Sequence, residues 1–227
     1  TSAVSAWLEA GDAAERLGEA DRAIAAFRRA LDRDPLDARA SQRLQSLLAA
    51  RGGASDLITL HENRAQAEQG DQAAAAWLEA ARIAYDQLKD TARALLALDK
   101  AYEAAPRRVS VLERRAELRA AVGRHAEAAG DWTARLELPC EPSELNHAHV
   151  SLAALYQDHL RDAPRAVGHL NTALAAAPEH EEALKRLARL HQDAQNWPAA
   201  VDALRRLVAL PNLPAGVIAG SLAQAIE

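Results

Sequence analysis

What this chain has little of already excludes several kinds of protein. Its 227 residues include one cysteine and no methionine, and aromatic residues make up 4% of the total. A single cysteine excludes an intramolecular disulfide framework and a cysteine-based zinc site. The low aromatic content argues against a large globular core built around rings. No apolar run reaches the roughly 18 residues of a transmembrane helix, so we expect no membrane span.

The charge balance bears on partners and source. Acidic residues outnumber basic ones by 32 to 27, which gives a net charge of −5 and argues against a nucleic-acid or anionic-membrane binder. Arginine supplies 24 of the 27 basic residues, which together with abundant alanine indicates a bacterial source. The N-terminus lacks the basic-then-apolar pattern of a signal peptide, and we expect a cytoplasmic location. Because methionine is missing even at the start, we also expect a piece of a larger protein.

Alanine is what the chain has in abundance, and it belongs to an internal repeat. The 57 alanines make up a quarter of the sequence and favour helix. Three segments share one apolar pattern that ends on a proline: RAIAAFRRALDRDP (22–35), RALLALDKAYEAAP (93–106) and RAVGHLNTALAAAP (165–178). Weaker copies lie between them, so that a repeat of 34 to 38 residues occurs six times. Such a period is typical of helical repeat architectures.

Each repeat is predicted to form two antiparallel helices. In the first repeat, an apolar stripe at helical spacing comprises Trp7, Ala10, Gly11 and Ala14. Gly18 breaks this helix, and Pro35 ends the next one. The second helix carries its own stripe of Ala23, Phe27 and Ala30. We expect the small residues to lie where the two helices approach closely, because larger side chains would push them apart.

This pattern resembles the tetratricopeptide repeat (TPR) family over about residues 4–214. The family favours a large residue and then a small one in the first helix, a turn glycine, and Ala, an aromatic, Ala and a closing Pro in the second. The first repeat departs from the pattern only at Ala14, where an aromatic is expected. The second repeat departs most, with Leu57 in place of the Ala and His61 in place of the aromatic.

The resemblance implies an all-α fold, a right-handed α-solenoid of about six TPR helix-turn-helix repeats plus a C-terminal helix. We expect one solenoid over residues 1–227. Its predicted repeats lie at about 4–37, 38–72, 73–108, 109–142, 143–180 and 181–214. The tail 215–227 is predicted to be either a cap or the start of a seventh repeat.

Residues that could carry chemistry are few. The four tryptophans (Trp7, Trp77, Trp132 and Trp197) stand where the repeat takes a large apolar residue, and we expect them in the core. His147 and His149 are two residues apart, so they lie on different helix faces and make poor metal ligands. Cys140 lies between two prolines and is predicted to be a plain exposed thiol. We therefore expect no enzyme, no cofactor and no metal site.

The first helices of successive repeats alternate in charge. Those of odd repeats are acidic and those of even repeats are basic, and Arg43, Arg114 and Arg186 occupy the same place in repeats two, four and six. In the TPR family that place faces a concave groove. Either each arginine pairs with an acid on the neighbouring helix, which contributes about 0–1 kcal/mol, or the groove accepts an acidic peptide through bidentate bonds. The predicted groove residues are Arg43, Arg82, Tyr85, Arg114, His147, Arg186 and Arg189.

The resemblance implies a non-catalytic scaffold that binds a protein or peptide partner, and the arginines favour an acidic one. The clamp by which some TPR domains hold chaperone tails is not expected, because its Lys and Asn set is missing from the groove positions. Binding of RNA, a property of other helical repeats, is disfavoured by the net negative charge. The alternative is an architectural spacer or oligomerisation segment of a longer solenoid, with self-association through the C-terminal helix.

Overall fold

The computed structural model describes residues 2–211, which form twelve α-helices and one short 3-10 helix at Pro142–Leu145. The helices are α1 (Ser2–Arg16), α2 (Ala20–Arg33), α3 (Ala38–Ala50), α4 (Ala54–Ala67), α5 (Gly70–Asp86), α6 (Thr91–Ala104), α7 (Val109–Ala121), α8 (His125–Leu136), α9 (Asn146–Asp158), α10 (Ala163–Ala176), α11 (Glu181–Asp193) and α12 (Trp197–Val208). No strand occurs in this part of the chain. The tail predicted as a cap or seventh repeat, 215–227, lies outside the described residues.

The helices fall two to each predicted repeat, which confirms an all-α helical repeat fold. Odd-numbered helices are the first helices of their repeats, and even-numbered helices are the second. An aspartate caps the N-terminus of three of the helices. Its carboxylate accepts a hydrogen bond from the backbone N–H three residues later. These aspartates are Asp37 before α3, Asp90 before α6 and Asp162 before α10. Such N-caps satisfy amide groups that the helix itself leaves without partners. The described residues up to Arg115 and those from Ala116 onward belong to two compact units, called here the N-terminal and C-terminal halves.

In the N-terminal half, small residues let α1 and α2 pack closely. A Cβ atom placed on Gly11 would lie 2.5 Å from Cε1 of Phe27, whose ring is fully buried. Ala23 and Ala30 are also fully buried on the same side of α2. The prediction that a small residue is required is confirmed at Gly11, and Ala23 and Ala30 are buried as that prediction expects.

The second repeat departs from this close packing. Counting 34 residues on from Gly11, Ala23 and Phe27 gives Gln45, Leu57 and His61. Two small residues are thus replaced by large ones, and the ring that filled the contact is replaced by a histidine. α4 packs mainly against α5 rather than α3, and a cleft of about 640 Å³ opens among α2, α3 and α4.

The cleft has an apolar floor and polar walls. Leu44 and Leu48 of α3 and Leu60 of α4 lie at its floor. At its rim, Nη2 of Arg28 lies 2.8 Å from Oδ1 of Asp56, and this ion pair joins α2 to α4. The pair is about half exposed on each side, so it contributes little to holding the two helices together.

The tryptophans do not all enter the core. Trp132 is buried, whereas Trp7 and Trp77 are half-buried. Trp197 is 52% exposed, so its prediction as a core residue was wrong. It is the first residue of α12, and the buried stripe of that helix begins only at Ala200. Trp197 thus precedes the buried part of α12.

Candidate interaction surface

Acidic and basic side chains of neighbouring first helices pair with one another at three equivalent places. In each, an acid on the first helix of an odd repeat lies opposite an arginine 28 residues later, on the first helix of the following even repeat. The N–O distances are 3.7 Å for Arg43–Glu15, 3.8 Å for Arg114–Asp86 and 2.9 Å for Arg186–Asp158. A further ion pair, Arg39–Asp12, joins α1 to α3.

These ion pairs agree with the first of the two interpretations of the charge alternation, in which each arginine pairs with an acid on the neighbouring helix. Each of the three arginines lies against an acid of the preceding first helix, so its charge is partly compensated within the fold. The six side chains are between 24% and 53% exposed, and pairs this exposed contribute about 0–1 kcal/mol each. Their main effect is therefore on the charge of this surface rather than on stability.

On α5, Arg82 and Tyr85 lie near the Arg114–Asp86 pair. Nε and Nη2 of Arg82 donate hydrogen bonds to Oε2 of Glu79 at 3.0 and 2.9 Å. This contact raises the pKa of Arg82 above its usual value. The guanidinium of Arg114 lies 5.2 Å from the ring centroid of Tyr85, a cation–π distance. Two groups of α5, Tyr85 and Asp86, thus hold Arg114.

In the C-terminal half, α11 carries both paired and unpaired cations. Arg186 donates to Glu182, Gln157 and Asp158 at 2.8 to 3.0 Å. Lys185 forms an ion pair with Glu181, one turn earlier on the same helix. Arg189 is exposed, and none of the ion pairs among the described residues involves it.

Two cavities adjoin Arg189. The smaller, of about 180 Å³, lies between α9 and α11 beside Gln157 and Arg186. The larger, of about 390 Å³, lies between α11 and α12, with Ala188, Leu204 and Leu207 as its apolar lining. Lys185 and Arg189 line both cavities. Gln192 and Asp193 complete the lining of the larger cavity, which is thus part apolar and part polar. Its apolar side, beside two cations, suits a segment that carries an apolar side chain next to a carboxylate.

His147 lies on α9 and packs against the core of repeat four. Its ring stands edge-on to that of Trp132, with 5.2 Å between the centroids and 82° between the planes. The ring is otherwise exposed. The structure thus gives this predicted groove residue a packing contact between α8 and α9.

The structure brings together some of the predicted residues within each half. Arg82, Tyr85 and Arg114 lie together on α5 and α7. Arg186 and Arg189 lie one turn apart on α11 and share a cavity. Arg43 lies on α3, against Glu15 of α1.

Sequence reasoning missed the cavity lined by Leu204 and Leu207, because a stripe of leucines reads as core wherever it occurs. It also missed the cleft of repeat two, although the departure at Leu57 was the signal for it. Cys140 is half-buried rather than plainly exposed, so that prediction was wrong. The buried Arg135 extends towards it, with Nη1 at 3.3 Å from Sγ.

The described part of the chain has neither a metal-binding cluster nor a membrane-spanning helix. It contains no cluster of three or more His, Cys, Asp or Glu side chains that could hold a metal ion. None of the helices from α1 to α12 is long and apolar enough to cross a membrane.

Family models and solved structures show which known proteins share this architecture. Models described as tetratricopeptide repeat match residues 4–47 and 152–215. The chain is a tetratricopeptide repeat protein. None of the curated proteins matches this TPR protein.

Several solved structures share the fold. MamA from Desulfovibrio magneticus RS-1 is 15% identical with a TM-score of 0.57, over 78% of this TPR protein and 95% of that chain. PilW, a type IV pilus biogenesis factor, is 20% identical with a TM-score of 0.53, over 98% and 88%. YrrB, described as a TPR protein with an unusual peptide-binding site, is 18% identical with a TM-score of 0.51, over 79% and 89%. At these identities the likeness concerns the fold alone.

Proposed function

We propose that this TPR protein is a non-catalytic protein–protein interaction scaffold that binds an acidic peptide or protein segment on the first-helix surface of its repeats. The observation that carries the proposal is the surroundings of Arg189 on α11. There, exposed Arg189 adjoins a cavity of about 390 Å³ that Leu204 and Leu207 line on its apolar side and Gln192 and Asp193 on its polar side. YrrB, which shares the fold, is described as having a peptide-binding site, and this agrees with a binding role.

The chemistry of α11 suits a carboxylate that arrives beside an apolar side chain. A guanidinium offers two parallel N–H donors that match the two oxygens of a carboxylate. Arg189 has no ion partner within the described chain to displace first. The leucine-lined cavity beside it would take the apolar side chain and give the contact a favourable burial of apolar area.

The remaining predicted residues would act as secondary contacts. An incoming carboxylate at Arg43 or Arg114 would have to compete with Glu15 or Asp86, which already lie against these arginines. The same holds for Arg186, which already donates to Glu182 and Asp158. We therefore assign the primary contact to Arg189. The secondary candidates are Arg43, Arg82, Tyr85, Arg114, His147 and Arg186.

A second function is favoured by the three equivalent ion pairs between first helices. They partly neutralise the basic side chains that a partner would use, as expected of an architectural spacer in a longer solenoid. Self-association through residues 215–227 would belong to this alternative. A cytoplasmic location stays a prediction from the sequence.

The test is selection of a peptide from a random displayed library, followed by affinity measurement on matched variants. We expect selected peptides to be rich in Asp and Glu around one apolar residue. Arg189→Glu should weaken their binding at least about tenfold, equivalent to about 1.4 kcal/mol. Arg205→Glu, the same charge change on an exposed arginine of α12, should leave it unchanged. Selection of neutral or basic peptides, or equal loss in both variants, would count against the proposal.

A further inference from the structure

Two histidines join α9 to α10 in the fifth repeat. Nδ1 of His149 lies 3.0 Å from Nδ1 of His169, a hydrogen-bond distance. One nitrogen must donate its N–H and the other must accept through its lone pair. The accepting ring is therefore neutral, because both nitrogens of a protonated imidazole are donors.

The surroundings of the pair include an aromatic ring and a further positive charge. The ring of Tyr156 lies parallel to that of His169, at 2° with 5.7 Å between centroids. The guanidinium of Arg165 lies 5.4 Å from the Tyr156 centroid and brings a further positive charge, which Asp162 pairs at 3.2 Å. Burial lowers the pKa of both histidines, and the nearby His149 and Arg165 lower the pKa of His169 further.

Other charged and titratable groups of the surrounding elements make their contacts elsewhere. Asp158, which pairs with Arg186 of α11, lies nine residues after His149, or about 13 Å along the helix axis. At the same end of α9, His159 stacks on His125 of α8 with 3.6 Å between centroids. Glu144 of the 3-10 helix precedes His149 by five residues. Tyr156 and Arg165 are thus the titratable or charged neighbours shown in contact around the pair.

We propose that the His149–His169 pair is an acid-sensitive latch that holds α9 against α10 at neutral pH and releases it on acidification. Uptake of a proton from solvent by each ring removes the accepting lone pair and leaves two positive charges about 3 Å apart. The latch is a property of the repeat itself and does not depend on any partner. Because α9 also supplies Gln157 and Asp158 to Arg186, its release would loosen the first-helix surface of the C-terminal half.

The direction of the pH effect follows from the lowered pKa values. A histidine that is harder to protonate in the folded state makes the unfolded state the better proton acceptor. The stabilisation is fully present above the unfolded-state value of about 6.5. It is lost as the pH falls from there through the lower folded-state pKa.

The experiment compares thermal unfolding midpoints at pH 7.5 and pH 5.5 for the whole chain and three variants. His169→Phe keeps a ring against Tyr156 but cannot titrate, and His149→Gln removes the other member. His191→Gln, a half-buried histidine of α11 outside the pair, is the control. We expect acid to lower the midpoint of the wild type and the control alike, and to lower it by roughly half as much in the two latch variants. His61, whose pKa is also lowered by burial, is present in all four proteins. Its protonation supplies part of the fall in the unfolding midpoint that remains in the latch variants.

An NMR titration of the wild type keeps the test decisive if a latch variant fails to fold. The proposal expects the His149 and His169 ring protons to titrate below pH 6.5 in linked steps, with the second proton taken up at lower pH than the first. Independent titration of both rings at their ordinary value would overturn the proposal. So would an equal fall in the midpoint for the latch variants and the wild type.

Discussion

At the scale of single residues, the approach of the two helices in a repeat is decided by one or two side chains. Gly11 leaves room for the ring of Phe27, and a Cβ atom there would meet the ring at 2.5 Å. Because Phe27 is fully buried, the ring has no open space into which it can turn. The glycine is thus required by the packing of α1 on α2, not by the backbone conformation of its helix.

We predict that Gly11→Ala lowers the free energy of unfolding by about 1–3 kcal/mol, the usual cost of overpacking a core. Gly168→Ala is the matched control, because nothing lies within 4 Å of a Cβ at that helical position. There the alanine should raise stability by about 0.5–1 kcal/mol through better helix propensity. Urea unfolding of the three proteins measures both changes. Equal effects at the two glycines would show that the Phe27 contact does not limit the packing.

At the scale of helices, the second repeat shows how a sequence pattern can be kept while the packing changes. Gln45 and Leu57 stand where the first repeat has Gly11 and Ala23, and α3 and α4 are separated by a cleft of about 640 Å³. His61 stands where Phe27 would be, and it is buried with Nε2 lacking a hydrogen-bond partner. The helices still form, because their ends and apolar stripes are intact.

We predict that restoring the first repeat's residues closes this cleft. The variant Gln45→Gly, Leu57→Ala and His61→Phe rebuilds the small positions and the aromatic. With Cys140→Ser as background, spin labels on Asp32 and Asn63, which line the cleft on different helices, report its width. The mean label distance should shorten by a few ångströms, whereas Leu57→Ala alone should change it less. An unchanged distance in the triple variant would mean that something other than these side chains keeps the helices apart.

Much of the helical organisation was predictable from the sequence, for physical reasons that the same positions illustrate. Pro35 and Gly18 end helices through their own backbone chemistry, so the first repeat could be divided correctly. The exposure of Trp197 could not be predicted. The repeat pattern places a large residue at the start of α12 whether or not other side chains cover it. The pairing of His149 with His169 was also hidden, since it depends on how α9 and α10 meet in space.

At the scale of the whole molecule, the charge pattern has two consequences that the sequence alone left open. The recurring pairs of Arg43, Arg114 and Arg186 with acids of the preceding first helix show that charge alternation serves contacts within the fold. A chain of net charge −5 nevertheless keeps Arg189 exposed beside a cavity that Leu204 and Leu207 line in part. The candidate site rests on Arg189 and this cavity together rather than on the equivalent arginines that the repeat pattern singled out.

The most direct test of the central claim is NMR mapping of the isotope-labelled protein with an acidic peptide obtained from the library selection. The account predicts that amide shifts change most around Arg189 and along α12 near Leu204 and Leu207, and that Arg189→Glu removes these changes. Shift changes concentrated at the cleft of repeat two, or spread evenly over both halves, would contradict the assignment of the binding surface to α11.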